Sequence, residues 1–135
     1  MINCTEILRQ HHLKATPQRV EIAQTLHTNG HMNIENLYEV LLKKFRTISL
    51  AAIYKNIHVM TKNGFIQEVK IPAHKSVYEL SKGTHSHLVC TQCHSIEDIT
   101  LDLTYPKESV LKRSSFLVEK TDLILSGLCS KCQKL

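Results

Sequence analysis

The sequence predicts an α+β fold, with four helices and a β-hairpin in the first 80 residues and a small set of strands around one helix after them. Three observations support this prediction: apolar residues recur at helical spacing up to Gly64, two strand-like runs follow directly, and two C-x-x-C pairs lie in the second half. A chain of 135 residues divided in this way leaves each half short of apolar core. We therefore expect a cross-link or a metal ion to stabilise at least one of them.

Capping signals divide the first half into helices. Thr16 offers a capping hydroxyl and Pro17 suits the first helical position, so a helix is expected to begin there and to end at Gly30. A shorter amphipathic stretch precedes this helix, and a third helix follows Asn33. The fourth helix is predicted to run from Ser49, its N-cap, to Gly64. Its expected buried stripe consists of Leu50, Ile53, Ile57 and Met60.

The outward face of this fourth helix is suited to contact with DNA. It carries small residues that permit close approach and polar or cationic residues that can contact bases and phosphates. Two strand-like runs, 65–71 and 75–80, follow directly and are joined by a short turn at 72–74. Helices followed by such a hairpin predict a winged helix-turn-helix domain, although an ordinary solvated helix face has a similar composition. The predicted DNA contacts are Arg19, Ser49, Ala51, Tyr54, Lys55, His58, Lys70 and Lys75.

Charge is unevenly distributed along the chain. Residues 1–82 carry all of the formal net charge of +5, with 11 Lys and Arg against 6 Asp and Glu, whereas the remainder has 6 of each. A basic module joined to a neutral one is a common arrangement in nucleic-acid-binding proteins. No apolar run is long enough to cross a bilayer, and the first residues lack a signal-peptide pattern. We therefore expect a cytoplasmic protein without a membrane partner.

The second half is expected to be a small α/β dimerisation domain. Residues 81–84 form a predicted hinge between a DNA-binding domain at 1–80 and this second domain at 85–135. The elements predicted in it are strands at 87–90, 96–101 and 116–125 and one helix at 106–115. A sheet of this size is too small to be stable without further support.

Four of the five cysteines form two C-x-x-C pairs, Cys90 with Cys93 and Cys129 with Cys132, which leaves Cys4 outside the pattern. In a reducing cytosol such pairs are more often metal ligands than disulfides. Each pair presents two sulfurs from one tight turn, and two pairs together complete a closed, structural Cys4 zinc site. The sequence therefore predicts one zinc ion that ties the C-terminal tail to the first strand of the domain.

Three other interpretations of these cysteines remain open. A thioredoxin-like redox pair would lie at a helix N-terminus in a βαβ pattern, which the sequence does not offer. The string from Cys90 to His94 matches the C-x-x-C-H motif of covalent haem attachment, but that motif belongs to exported proteins. The third interpretation is a regulatory dithiol switch.

His85 and His87 lie two residues apart at the start of a predicted strand, in a chain with nine histidines. Their side chains should leave the same face of the strand, because successive residues alternate between the two faces. Two imidazoles on one face can bind a metal ion. On spacing alone, ordinary surface histidines explain the pair equally well.

Several short motifs spread along the chain are shared with one family of proteins. They are Thr16-Pro-Gln-Arg19, Gly30-His31, Ser49-Leu-Ala-Ala-Ile-Tyr54, Gly64, Tyr78-Glu-Leu80, His85-Ser-His-Leu-Val-Cys90, Gln92-Cys93 and the closing C-x-x-C. On these motifs the chain resembles the ferric uptake regulator (Fur) family. The resemblance implies that a metal-loaded homodimer binds a double-stranded DNA operator. It also implies a set of regulatory metal ligands, which are His31, Glu79, His85, His87 and Asp98.

Within that family the chain is most similar to the peroxide-sensing (PerR) branch. Asp98 matches that branch, whereas iron sensors tend to have glutamate there, and residues 120–122 lack the histidine that iron sensors use for an additional site. Two positions depart from the pattern: Glu79 replaces a common aspartate, and His94 replaces a common glycine. By this resemblance the oxidation-sensitive residues are His31 and His85.

Three imidazoles and two carboxylates form a nitrogen and oxygen donor set that suits Fe²⁺ or Mn²⁺. The predicted function is a metal-dependent DNA-binding repressor, not an enzyme, that senses hydrogen peroxide through oxidation of metal-ligand histidines and has no catalytic residues. The alternatives are an iron- or zinc-uptake regulator of the same family and a metal or redox protein that does not bind DNA. The basic first half and the face formed by Ala51, Tyr54 and Lys55 favour DNA binding.

Overall fold

The computed structural model describes residues 3–83 and 85–133. Within these residues the chain forms five helices and five strands, and it divides into two compact units, residues 1–82 and 83–135. The predicted hinge at 81–84 includes Thr84, which lies outside the described residues. None of the helices in the described ranges is long and apolar enough to span a bilayer.

The first unit begins with four helices that form where the sequence supplies capping groups. They are α1 (Cys4–Gln10), α2 (Pro17–Asn29), α3 (Ile34–Lys44) and α4 (Leu50–Lys62). The side chain before each helix accepts a hydrogen bond from a backbone N–H of the first turn. Their apolar faces meet in one core, whose most buried members include Leu8, Ile22, Leu26, Leu37, Leu41, Ile53 and Met60.

The predicted buried stripe of α4 is wrong at its first position. Leu50 is 38% exposed, because it is the first helical residue and faces outward beside the N-cap Ser49. The buried apolar residue at this end of the helix is Ile48, which precedes the N-cap. Together with Ile53 it has the spacing of a hydrophobic staple, and both residues belong to the core.

A β-hairpin follows α4 and completes the predicted winged-helix arrangement. Strands β1 (Ile66–Val69) and β2 (Val77–Leu80) pair antiparallel, with Gln67 opposite Glu79. Both are shorter than the predicted runs because the backbone near the tip forms a turn, closed by the N–H of His74 on the carbonyl of Ile71 at 3.1 Å. A further antiparallel bridge joins Met32 to Tyr78.

The second unit has a three-stranded sheet with its first strand in the centre. The elements are β3 (Ser86–Cys90), β4 (Ile96–Ile99), α5 (Thr104–Ser114) and β5 (Ile124–Gly127). Strand β3 pairs antiparallel with β4 and parallel with β5. The parallel pair needs a crossover connection, and α5 lies within it.

The prediction of a strand at 116–125 is wrong for most of these residues, because the observed strand β5 begins only at Ile124. Only the residues from Ile124 to Gly127 pair with β3, and Phe116 and Leu117 are 64% and 72% exposed. The pairing is limited to four residues because β3 itself is short and turns after Cys90. An alternating pattern predicts a strand, but a strand also needs a partner backbone opposite it.

Candidate metal centres and DNA-binding surface

The two C-x-x-C pairs come together because of the parallel register of β3 and β5. Cys90, the last residue of β3, is opposite Gly127, the last residue of β5. Parallel strands that stop at the same edge of a sheet place their following turns side by side. The N–H of Thr91 donates to the carbonyl of Gly127 at 2.8 Å and extends this alignment into the first turn. The four cysteines therefore converge although 35 residues separate the pairs.

The geometry of the four sulfurs matches a tetrahedral metal site. All four lie within 4.8 Å of one another, and the Sγ atoms of Cys93 and Cys129 are 3.8 Å apart. Zinc–sulfur bonds of about 2.3 Å in a tetrahedron place the sulfurs about 3.8 Å from each other. The cluster formed by Cys90, Cys93, Cys129 and Cys132 thus fits a structural zinc ion, as the sequence predicts.

Backbone N–H groups prepare one of these sulfurs to carry negative charge. The N–H groups of Cys129 and Cys93 each lie 3.5 Å from Cys90 Sγ, and they lower the pKa of the Cys90 thiol to about 5. The hydroxyl of Ser95 lowers the pKa of Cys93. The neighbouring sulfurs of Cys129 and Cys90 raise the pKa of Cys132 to about 12. Four sulfurs so close together can all be thiolates only with a cation to neutralise them, and a zinc ion would supply that charge.

Two residues that the sequence left without a role have clear positions in the structure. Cys4 is buried in the core of the first unit, and burial raises the pKa of its thiol. His94 follows the first cysteine turn with φ of 63°, and its N–H donates to the carbonyl of Cys90 at 3.0 Å. Glycine adopts this left-handed conformation more readily than histidine, which has a Cβ.

In the first unit, His31 and Glu79 form a buried pair. Nε2 of His31 lies 2.9 Å from Oε2 of Glu79, whose side chain is 1% exposed. The bridge between Met32 and Tyr78 joins the residues adjacent to them in sequence and brings the two side chains together. A buried carboxylate next to an imidazole is stable only with compensating charge or hydrogen bonds, so this pair is suited to share a cation.

Gln67 is a further member of this cluster that the sequence analysis missed. Its Nε2 donates to Oε1 of Glu79 at 2.6 Å across the β1–β2 pair. The sequence contains a signal for this contact, because a turn centred on Ala73 places residues 67 and 79 opposite each other. Lys82 lies at the edge of the cluster, with Nζ 3.9 Å from Oε2 of Glu79.

In the second unit, His85, His87 and Asp98 form another cluster. His87 is opposite Asp98 in the β3–β4 register, and His87 Nε2 lies 3.5 Å from Asp98 Oδ1. The Nε2 atoms of His85 and His87 are 3.1 Å apart, and His85 Nε2 lies 3.8 Å from the same Asp98 oxygen. Nδ1 of His85 lies 2.8 Å from the carbonyl of Gly83. Because a carbonyl only accepts, Nδ1 carries the proton, and Nε2 has its lone pair available for a metal.

This second cluster fits a divalent cation. Two nitrogen ligands at about 2.1 Å and at right angles around one metal lie about 3.0 Å from each other, close to the observed separation of the two imidazole nitrogens. The donors of both clusters are imidazole nitrogens and carboxylate oxygens, which suit Fe²⁺ or Mn²⁺ better than a thiolate site does. Of the five predicted regulatory ligands, His31 and Glu79 lie together within the first unit, and His85, His87 and Asp98 lie together within the second.

The predicted DNA contacts on α4 share one exposed surface. Ser49 caps the helix by accepting the N–H of Ala52 at 3.1 Å. The exposed residues of this surface are Ser49, Ala51, Tyr54, Lys55 and His58. Tyr54 is 49% exposed despite its aromatic ring, which leaves its hydroxyl available to solvent or to a ligand.

The remaining three predicted contacts differ in their surroundings. Lys70 follows β1 and is exposed. Lys75 pairs with Glu35 at 3.2 Å, an exposed ion pair of little energetic weight that a phosphate could replace. Arg19 donates from Nε to Oδ1 of Asn56 at 3.1 Å and from Nη1 to the carbonyl of Lys14 at 3.2 Å. Arg19 therefore links α2 to α4 within the first unit.

Comparison with known proteins identifies the family. The sequence profile of the ferric uptake regulator family matches residues 10–126. The chain belongs to the ferric uptake regulator family. Members of the family are metal-responsive regulators, and the histidine and carboxylate side chains described above fit that role.

Relatives within the family include both ferric uptake regulation proteins and peroxide-responsive repressors. The chain is 29% identical to the ferric uptake regulation protein of Cupriavidus metallidurans over 123 residues, 88% of this chain and 86% of the relative. It is 30% identical to the peroxide-responsive repressor PerR of Staphylococcus aureus over 132 residues, 93% and 86% of the two chains. The solved structure of the Campylobacter jejuni peroxide stress regulator is 32% identical, with a TM-score of 0.74 over 97% of this chain and all of that one.

Proposed function

We propose that this chain is a cytoplasmic, homodimeric transcriptional repressor that binds operator DNA when its regulatory metal site is loaded and releases it on exposure to hydrogen peroxide. The observation that carries the proposal is the pair of imidazole nitrogens of His85 and His87, 3.1 Å apart beside Asp98. A metal-responsive regulator requires side chains that can bind its regulatory metal, and these imidazole and carboxylate groups are suited to that role.

The first unit supports the DNA-binding part of the proposal. It carries the whole net positive charge of the chain, and phosphate contacts supply most of the affinity of such proteins for DNA. The α4 face would enter the major groove, with Lys55, His58 and Tyr54 near base edges or phosphates. Lys70 and Lys75 beside the hairpin would contact the backbone and set the register.

The regulatory metal would take its ligands from both clusters. His31 and Glu79 belong to the first unit, whereas His85, His87 and Asp98 belong to the second. A metal ion held by both sets restricts how the two units can be arranged and so favours the arrangement that fits DNA. Couplings of this kind are typically about 1–3 kcal/mol, which changes DNA affinity by about 5- to 150-fold.

The surface of the second unit supports a homodimer. Large apolar side chains are exposed on α5 and around β5, including Tyr105, Leu111, Phe116, Leu117, Leu125 and Leu128. Helix α5 has no buried residue within its unit. Apolar area of this kind is typical of a surface that another copy of the chain covers.

Peroxide sensing would depend on the histidine ligands. Bound Fe²⁺ would act as a redox catalyst for peroxide and end in its starting oxidation state, whereas Mn²⁺ does not readily do so. In the net reaction, one imidazole carbon gains an oxygen atom from hydrogen peroxide, and water is the other product. His31 and His85 are the expected targets, by similarity to the peroxide sensors. An oxidised imidazole is a weaker donor, so the metal would dissociate and the DNA would be released.

A direct test uses metal-depleted protein loaded with Fe²⁺, Mn²⁺ or Zn²⁺ at the regulatory site. The operator can be selected from a random-sequence duplex pool with the Mn²⁺ form. We expect Fe²⁺ and Mn²⁺ forms to bind the selected DNA and modest peroxide to release only the Fe²⁺ form. Peptide mass spectrometry should then find a +16 Da product at His31 or His85, and the exposed His58 serves as the internal control.

Three other outcomes of this experiment would each assign a different function to the chain. Oxidation confined to cysteines with loss of zinc would replace the proposal with a thiol switch. Iron-dependent DNA binding that survives peroxide would assign the chain to the iron-sensing regulators of the family, which its similarity to ferric uptake regulation proteins favours as the second candidate. Binding that requires Zn²⁺ alone would assign it to zinc regulation.

A further inference from the structure

The side chain of Gln67 forms a hydrogen bond with Glu79, a predicted ligand of the regulatory metal. We infer that Gln67 is a positioning residue of the regulatory metal site, which holds one oxygen of the Glu79 carboxylate by a hydrogen bond and so orients the other oxygen as a ligand atom. The inference rests on the proposed function, because it assumes that Glu79 binds the regulatory metal. Gln67 itself does not contact the metal.

The hairpin register produces this contact. Gln67 and Glu79 are directly opposite in the β1–β2 pair, where side chains on the same face lie close together. Nε2 of Gln67 donates to Oε1 of Glu79 at 2.6 Å, whereas Oε2 faces His31 Nε2 at 2.9 Å. The two carboxylate oxygens thus have different surroundings: Oε1 accepts from an amide of the hairpin, whereas Oε2 faces the imidazole of a predicted ligand and lies 3.9 Å from Lys82 Nζ.

The chemistry of the amide suits a positioning role. The NH₂ group must be the atom that faces the carboxylate, because an ionised carboxylate only accepts hydrogen bonds. A hydrogen bond to a charged group in a buried place is strong and directional. An amide carries no charge, so Gln67 adds no further cation beside the carboxylate, which Lys82 Nζ already approaches to 3.9 Å. A cationic side chain at position 67 would instead compete with the metal.

The alternative is that Gln67 only satisfies a buried polar group. Glu79 is 1% exposed, and an unsatisfied carboxylate oxygen would be costly in this place with or without a metal. The two roles differ in what they affect. A purely structural contact alters the stability of the metal-free protein, whereas a positioning contact also alters metal affinity, and it does so only through Glu79.

The test compares Gln67→Met, which keeps the length of the side chain but removes the donor, with the unsubstituted zinc-loaded protein. Mn²⁺ affinity is measured by competition titration, and thermal unfolding of the Mn²⁺-free form is measured in parallel. We expect Mn²⁺ to bind Gln67→Met at least about tenfold more weakly, as is typical when a residue that orients a ligand is removed. Zinc content should not change. Gln24→Met, which changes an exposed glutamine of α2, should bind Mn²⁺ normally.

A double-mutant cycle separates the two roles. In a Glu79→Gln background, Gln67→Met should weaken Mn²⁺ binding no further, and an equal loss there would overturn the inference. Normal Mn²⁺ affinity of Gln67→Met would also overturn it and would leave the proposed function intact. Failure of the unsubstituted protein to bind Mn²⁺ would overturn both. If Gln67→Met does not fold, Gln67→Asn replaces it in the test. The shorter asparagine side chain withdraws the donor from Glu79, so this variant should show the same loss of Mn²⁺ affinity.

Discussion

At the residue scale, the exposed face of α4 combines small side chains with a phenol and an ammonium group. Ala51 allows close approach of a second molecule, and Lys55 can contact a phosphate. Tyr54 is large and about half exposed, so much of its ring can be reached by a second molecule. The two larger residues are expected to act differently on DNA, one through charge and the other through shape and hydrogen bonding.

Replacement of these residues should separate affinity from specificity. Lys55→Ala should weaken operator and non-operator DNA alike and reduce the salt dependence of binding by about one phosphate contact. Tyr54→Ala should reduce the preference for the operator by about tenfold, because a base-edge contact is worth about 1–3 kcal/mol. Fluorescence anisotropy titrations of both DNAs at several salt concentrations measure these effects.

The control for these variants is Lys43→Ala, which removes an exposed lysine from α3. It changes the net charge by the same amount as Lys55→Ala but at a different surface. Binding that is unchanged in both α4 variants would exclude this helix from the DNA interface. An equal loss in Lys43→Ala and Lys55→Ala would show that the effect of Lys55 is only one of net charge.

At the element scale, the junction between α4 and β1 decides where the hairpin lies relative to the exposed helix face. Gly64 has φ of 75°, and its N–H donates to the carbonyl of Thr61 at 3.0 Å. The N–H of Phe65 donates to the carbonyl of Met60 at 3.0 Å, and these two bonds together form a Schellman motif. Phe65 is buried directly after the turn. Gly64 thus ends α4 and allows the chain to turn into the β1–β2 hairpin.

Gly64→Ala should destabilise the first unit by about 1 kcal/mol, because a residue with a Cβ is strained in the left-handed region. The effect should arise from the backbone alone, since a Cβ at this position would meet nothing within 4 Å. Gly64→Asn should destabilise it less, because asparagine tolerates this conformation. Chemical denaturation of the three proteins measures the difference.

Gly83→Ala is the matched comparison for this prediction. A Cβ there also meets nothing within 4 Å, but its φ lies outside the left-handed region. It should therefore leave the free energy of unfolding nearly unchanged. Equal stability of Gly64→Ala and the unsubstituted protein would contradict the proposed strain at the junction.

At the scale of the whole molecule, the second unit has little apolar core of its own. Its central strand is buried, but α5 and much of the segment around 116–117 are exposed. The four cysteines join the end of β3 to the turn after β5 and so close the sheet at one edge. A structural zinc ion contributes about 10 kcal/mol or more to such small domains.

Cys93→Ser or Cys132→Ser should therefore remove zinc and abolish dimerisation, because the surface that would form the dimer loses its support. Metal analysis and sedimentation velocity measure the two effects. Cys4→Ala provides the control, since Cys4 lies in the core of the first unit and outside the cluster. A zinc-free Cys93→Ser protein that is still dimeric would contradict this account.

Much of the local structure could be predicted from the sequence because its causes are local. Thr16, Ser49 and Gly64 mark helix ends through bonds made within a few residues of the chain. The cysteine spacing predicts a zinc site because two C-x-x-C turns suit few other structures. The same spacing could not show how 35 intervening residues bring the pairs together.

The sequence by itself determined the helices, the hairpin, the two C-x-x-C pairs with the zinc site they predict, and the family, since each depends on residues that are near neighbours or on a shared pattern of motifs. Tertiary structure decided where strands stop and which side chains meet. The strand expected at 116–125 became β5 at Ile124–Gly127, because β3 offers a backbone partner to only four residues. The contact of Gln67 with Glu79 and the bridge of Met32 to Tyr78 likewise depend on pairing between distant segments, which is a property of the folded chain.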